Sequence, residues 1–179
     1  MIAATLLLAA LLCAAQETTQ APVPQPAAGS PADLPRYLEV TPLIATGAQP
    51  TEAGVRKLAE QGFRAIINIR TAEEEGADVD RYRKLAEGLG LKYYHVPLVG
   101  KDPKEEQVTR FLETMEQLQN EKVFVHCAAA NRVGAVMMCK RVLKDGLSTA
   151  EAEEEAKRIG LRTETLRKFA LDYIEKNRK

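Results

Sequence analysis

The 179-residue chain has no tryptophan, two histidines, three cysteines and only 5% aromatic residues. So few cysteines exclude a disulfide framework. An excess of either charge is missing too. The 25 basic and 25 acidic residues cancel, which argues against a nucleic-acid partner, because proteins that track phosphate backbones carry a basic surplus. Long apolar runs are confined to residues 2–12, well short of the roughly 20 residues that span a bilayer. With 45% hydrophobic and 28% charged residues, the chain is neither disordered nor a multispanning membrane protein.

The apolar run is followed by Cys13, Ala14 and Ala15, a pattern expected of a secretory signal occupying residues 1–15. No Lys or Arg precedes Arg36, so only the terminal amine supplies positive charge ahead of the run. Lipid anchoring through Cys13 is the alternative, with Leu12 where a lipobox would have a small residue. Residues 16–35 hold five of the nine prolines and are expected to form an extended, solvated linker. The chain is thus expected to be periplasmic or secreted, with no stable membrane span after signal removal, and to fold as one domain over 36–179.

Within that domain, strand patterns at 37–40, 43–46, 65–69, 92–96 and 123–126 alternate with helical periodicity. Val79, Tyr82, Leu85, Ala86 and Leu89 share one helix face, as do Val108, Phe111, Leu112, Met115 and Leu118, and again Leu166, Phe169, Ala170, Tyr173 and Ile174. Ser148 and Glu151 form a capping box. The alternation predicts an α/β fold with a mainly parallel central sheet flanked by helices. Ligands in such sheets bind beyond the C-terminal strand ends, which singles out the segments after Ile69 and Val125.

The second of these runs His126-Cys127-Ala128-Ala129-Ala130-Asn131-Arg132-Val133-Gly134. An apolar strand enters it, and an apolar helix starts near Val133. Unpaired N–H groups at a helix start form an anion cradle. The small residues Ala128, Ala129 and Ala130, with Asn131, allow close backbone approach to an oxyanion, and Arg132 adds a fork of donors. Cysteines at helix N-termini or beside cations have pKa values lowered to about 3.5–7.5, so Cys127 is expected to be a thiolate nucleophile. His126 is expected to orient the loop through hydrogen bonds. Cys139 lies two helical turns on and reads as a core residue, too distant for a bridge.

This loop resembles the signature of cysteine-dependent protein tyrosine and dual-specificity phosphatases. More closely, the chain resembles the bacterial beta-lactamase-hydrolase-like phosphatase-like domain family, related to the segment fused to some NAD kinases. The landmarks are Thr46-Gly47-Ala48-Gln49-Pro50, the strand leading to Arg70, the acidic stretch from Glu73, the strand containing Tyr94 and His95, and the cysteine loop; together they span about residues 38 to 160. The resemblance implies a tyrosine/dual-specificity phosphatase-like fold and hydrolysis of phosphate monoesters through a phosphocysteine, with Arg132 and loop amides holding the oxygens. It implies no cofactor or metal, and a phosphorylated protein or small phosphate ester as substrate.

The loop has its own features. Four residues separate Cys127 from Arg132, where tyrosine phosphatases have five; Val133 replaces a common Ser or Thr; and Ala130 stands where glycine would adopt positive φ. The tight ring is closer in size to that of rhodanese sulfurtransferases, so persulfide chemistry at Cys127 is an alternative, as is a non-catalytic oxyanion-binding module. Asp102 is read either as the general acid or, with Pro103 and Glu105, as a helix cap. Glu73, Glu74 and Glu75 are alternative acids or a solvated run. Arg70 and, more weakly, Gln49 are expected to support the site from the same rim.

Overall fold

The computed structural model describes residues 32–178. The expected signal, Cys13 and most of the expected linker lie outside the described residues. Its end does not behave as linker. Leu34 is buried, the Pro35 carbonyl accepts from the Ala48 amide at 2.8 Å, and the Asp33 carboxylate accepts from Thr51 Oγ1 and Lys57 Nζ. The packed domain therefore includes Asp33, Leu34 and Pro35, ahead of the expected boundary at 36, because their backbone and side chains find partners in the fold.

Five short strands, β1 (Leu38–Thr41), β2 (Ile44–Gly47), β3 (Ala65–Asn68), β4 (Lys92–His95) and β5 (Val123–His126), form one sheet in the order β1-β2-β5-β3-β4. β1 pairs antiparallel with β2; the other three pairings are parallel. β5 lies at the centre, and its four residues are all buried, as its unbroken apolar character requires of a strand covered on both faces. Among the described residues, six helices surround the sheet: α1 (Glu52–Glu60), α2 (Val79–Gly88), α3 (Glu105–Gln117), α4 (Asn131–Leu143), α5 (Thr149–Ile159) and α6 (Glu164–Asn177). The expected α/β architecture is what forms, with the addition of α1, a helix the strand and periodicity patterns had not marked. Thr51 caps it by accepting from the Gly54 amide at 3.1 Å, and Val55 and Leu58 anchor it.

Two cores sit on opposite faces. Ala45, Ile66, Tyr93 and Phe124 pack with Val55, Leu58 and Ala86 from α1 and α2. Ala65, Ile67, Val123 and Val125 pack with residues of α3, α4, α5 and α6. Because α4 is enclosed between sheet and outer helices, it carries eight buried residues and no polar stripe. Ser148 caps α5, its hydroxyl accepting from the Glu151 amide while Glu151 accepts from the Ser148 amide. Among the described residues, no helix is long and apolar enough to cross a membrane.

Gly134 sets how closely α4 approaches its neighbours. A Cβ there would stand 2.7 Å from the Ala156 carbonyl oxygen and 2.8 Å from the Leu161 amide nitrogen. Both obstacles are backbone and cannot rotate away. Gly134→Ala is therefore expected to destabilise the domain by about 2 kcal/mol, read as a lower denaturant midpoint with unchanged slope.

Candidate active site

β3, β4 and β5 run parallel and end at one rim, so the segments after all three converge there. They line an open cavity of about 610 Å³, together with the α5–α6 turn: Thr71 and Glu74 follow β3, Val99 and Lys101 follow β4, Cys127 and Arg132 follow β5, and Arg162 and Thr163 come from the turn.

Cys127 lies in this lining with only 1% of its surface exposed. The next residues turn abruptly. Ala130 takes φ 61°, ψ −2°, the left-handed conformation expected at that position, which costs an L-residue about 1–2 kcal/mol. This bend places the start of α4 at Asn131, two residues earlier than expected. The Ala130 carbonyl then accepts from the Gly134 amide at 3.0 Å. Ala129 bridges Ala48 beyond the end of β2, so the loop is braced from that side too. Ala128, Ala129 and Asn131 line the cavity, and the Asn131 side chain is also engaged with the α5–α6 turn. Its carbonyl accepts from the Arg162 amide at 2.9 Å and its amide donates to Thr163 Oγ1 at 3.2 Å. Asn131 thus pins the α5–α6 turn to the loop. Arg162 completes the join by donating to the Ala129 carbonyl at 3.1 Å.

Arg132 is held by Glu74. Nη1 donates to Oε1 at 2.5 Å and Nη2 to Oε2 at 2.7 Å, while Nη1 also donates to the Leu98 carbonyl at 3.1 Å. That accounts for three of the five N–H bonds of the guanidinium. What remains is Nε–H and the second Nη2–H, which lie parallel on one edge and suit two oxygens of a tetrahedral anion. Burial opposes the positive charge of Arg132, but the Glu74 carboxylate and the nearby Cys127 sulfur outweigh it and raise its pKa.

Glu74 is itself over-determined. Arg70 Nε donates to its Oε2 at 3.2 Å and the Thr71 amide to its Oε1 at 2.8 Å. Burial favours its protonated form, yet the Arg132 and Thr71 hydrogen bonds prevail and bring its pKa down to about 2. A group so acidic holds no proton at neutral pH and cannot serve as a general acid. Glu73 and Glu75 are exposed and do not line the cavity. The acidic run is therefore neither a solvated face nor an acid reservoir at its middle residue; Glu74 is the anchor of Arg132.

Arg70 is buried and shapes that acidic segment. Its guanidinium donates to the Gly76 carbonyl at 2.9 Å, the Glu75 carbonyl at 2.5 Å and Gln49 Oε1 at 3.0 Å. Its own carbonyl meets His95 Nε2 at 2.7 Å. Arg70 and Gln49 thus sit at the expected rim, in supporting positions one layer behind the cavity lining.

Two expectations are corrected. His126 is fully buried, stacked on Phe124 at 6.0 Å, and neither ring nitrogen has a hydrogen-bond partner of ordinary geometry. Strand alternation puts its ring on the face opposite the Cys127 side chain, and its one link to the loop is a weak contact with the Cys127 backbone, in place of the hydrogen bonds expected to orient the loop. Burial and the positive charges of Arg70 and Arg132 lower its pKa to about 3. Asp102 is exposed, accepts from Lys104 Nζ at 2.6 Å, and lines a neighbouring depression instead of the cavity over Cys127. It does not cap the helix either. α3 begins at Glu105, and Gln107 accepts from the Lys104 amide at 2.9 Å.

Cys139 behaves as expected. It is a free thiol, as is Cys127, and burial pushes its pKa up to about 12.

Comparison with known proteins then decides the family. The family described as "DSP-PTPase phosphatase fused to NAD+ Kinase" matches residues 33–172. The chain belongs to this phosphatase family. The family is that of tyrosine/dual-specificity-type phosphatases. Among curated relatives, a beta-lactamase hydrolase-like protein of Agrobacterium fabrum is 26% identical over 127 residues, covering 70% of this chain and 29% of that protein. The chain thus spans less than a third of that relative. A DUF442 phosphatase structure from Shewanella putrefaciens superposes with a TM-score of 0.70 at 21% identity, covering 80% of this chain and 94% of the other. P. aeruginosa TpbA, solved with pTyr, gives 0.61 at 16% identity over 78% and 82%. At these identities the two structures support the fold.

Sequence reasoning had missed Lys101, Arg162 and Thr163 as cavity residues. Gly160 signalled that α5 ends there, but nothing local indicates that the following turn packs on the cysteine loop.

Proposed function

We propose that the chain hydrolyses phosphate monoesters of proteins or small molecules through a phosphocysteine formed at Cys127. The observation that carries this reading is a cysteine and a clamped arginine sharing one cavity, with the Cys127 sulfur beside the guanidinium. The Cys127 sulfur attacks phosphorus in line with the leaving oxygen. Arg132 binds two non-bridging oxygens through Nε and Nη2, and the amides at the start of α4 receive the remaining charge. Water then attacks phosphorus, releases Cys127 and leaves with the phosphate. The TpbA–pTyr complex makes phosphotyrosine a natural first substrate to test. The N-terminal segment leads us to place the enzyme in the periplasm or outside the cell, with anchoring through Cys13 as the alternative.

The four-residue spacing between Cys127 and Arg132 favours one rival, sulfur transfer through a Cys127 persulfide. A covalent intermediate distinguishes the two. Wild-type protein turning over an aryl phosphate is quenched in acid, digested and weighed by mass spectrometry. The expected result is a phosphate adduct on the peptide carrying Cys127. A one-sulfur adduct formed only after thiosulfate would replace the phosphatase reading with the transferase one.

A further inference from the structure

Among the described residues lining the cavity over Cys127, Glu74 is the one carboxylate, and its oxygens are committed to Arg132, Arg70 and the Thr71 amide. Neither of the two histidines of the chain lines it. Among the described residues, no carboxylic acid or imidazole is therefore placed to protonate an oxygen leaving from phosphorus. Asp102 is turned to the adjoining depression and paired with Lys104. Without such an acid, departure is fast only for groups that leave as stable anions.

The same cavity carries two uncommitted cations. Lys101 is exposed and has no hydrogen-bond or ion-pair partner among the described residues. Arg162 spends Nη1 on the Ala129 and Gly160 carbonyls and has no acidic partner, leaving Nε and Nη2 without acceptors. Arg132 is neutralised by Glu74, so net positive charge sits on the rim rather than at the clamp. A substrate that meets this pattern carries negative charge on its leaving side.

We propose that the preferred substrates are phosphoanhydrides and acyl phosphates, whose leaving group is itself a phosphate or carboxylate anion received by Lys101 and Arg162. This rests on the phosphatase reading and narrows it. In the first step the Cys127 sulfur–phosphorus bond forms from the thiolate electron pair, and the anhydride P–O bond breaks with its pair staying on the leaving oxygen. No proton is consumed. In the second, water attacks phosphorus, the S–P pair returns to sulfur, and both water protons remain on the released orthophosphate.

The test is a leaving-group series on the full chain: acetyl phosphate, inorganic pyrophosphate, p-nitrophenyl phosphate, phenyl phosphate and glycerol 3-phosphate. Expected is a steep ranking in kcat/KM, with the two anhydrides ahead of p-nitrophenyl phosphate, phenyl phosphate slower by about tenfold or more, and no detectable turnover of the alkyl ester. Lys101→Gln should lower kcat/KM on both anhydrides by about tenfold while affecting p-nitrophenyl phosphate less. Asp102→Asn should leave the ranking unchanged. Similar rates on phenyl and p-nitrophenyl phosphate, or a selective loss on phenyl phosphate in Asp102→Asn, would reveal a working acid and overturn the inference while leaving the phosphatase reading intact. Equal effects of Lys101→Gln on all substrates would overturn it as well. Acetyl phosphate alone turning over would restrict the class to carboxylic leaving groups, and pyrophosphate alone to phosphoric ones; either supports the inference. Hydrolysis of none of them by folded protein would remove both readings.

Discussion

Cys127→Ser is expected to lower kcat/KM on an aryl phosphate by more than about 10³, with little change in thermal stability. Serine fits the same volume, so the loop, the Ala129–Ala48 bridge and the Asn131 contacts persist. What disappears is a nucleophile that attacks without help. A serine hydroxyl needs a neighbouring base to take its proton, and the one carboxylate among the described residues of the cavity is held by two arginines. Cys139→Ser supplies the control. That thiol is buried, directed at the Ala170 carbonyl at 3.8 Å and unreactive near neutrality. Alkylation with iodoacetamide at pH 7 should accordingly label Cys127 and spare Cys139. Comparable labelling of both, or full activity in Cys127→Ser, would remove Cys127 from the chemistry.

Glu74→Gln should impair both activity and stability. The substitution removes a charge that Arg132 uses through two nitrogens and Arg70 through a third. Arg132 is then free to swing, and misplacing such a clamp by about 1 Å costs on the order of 10² in rate. Because Glu74 acts through Arg132, addition of phosphate as a competitive inhibitor should show weakened binding in the variant, which a purely structural role would not produce. The stability effect has a defined pH signature. In the folded chain Glu74 titrates at about 2, below its ordinary 4.5. Its charged form therefore contributes stability, reduced by solvent screening, that is fully present above pH 4.5 and lost as pH falls toward 2. His126 acts in the same direction over a higher range. It is kept neutral, with its pKa lowered from 6.5 to about 3, so unfolding gains a proton below pH 6.5 and stability declines from there. Wild type should weaken below pH 6.5 and more steeply below 4.5, where Glu153 also contributes, and Glu74→Gln should show a shallower decline below 4.5. Urea midpoints measured between pH 7 and 3 check this; identical profiles for the two proteins would contradict the assigned role of Glu74.

What the amino-acid order determined by itself was most of what neighbours in the chain carry, α1 excepted. The five strands emerge close to their expected limits, because alternation and apolar runs are local properties that the sheet merely uses. The strand–loop–helix from Val123 to Leu143 is legible for the same reason: nucleophile, small residues, left-handed Ala130 and arginine follow one another within six positions. Three glutamates in a row are, by contrast, equivalent on paper. Only the fold distinguishes Glu74, because Arg70 binds the carbonyls of Glu75 and Gly76 and thereby turns the carboxylate between them and Thr71 toward a guanidinium 58 positions away. Asp102 had a plausible cap and a plausible acid in its sequence neighbourhood, and the start of α3 at Glu105 removed one while the course of the loop turned it from the other. Arg162 reaches the site because Gly134 lets α4 touch the α5–α6 turn and Asn131 pins that turn to the loop. Backbone periodicity is encoded residue by residue, whereas which charge meets which depends on distances that exist only once the two cores have closed around the sheet.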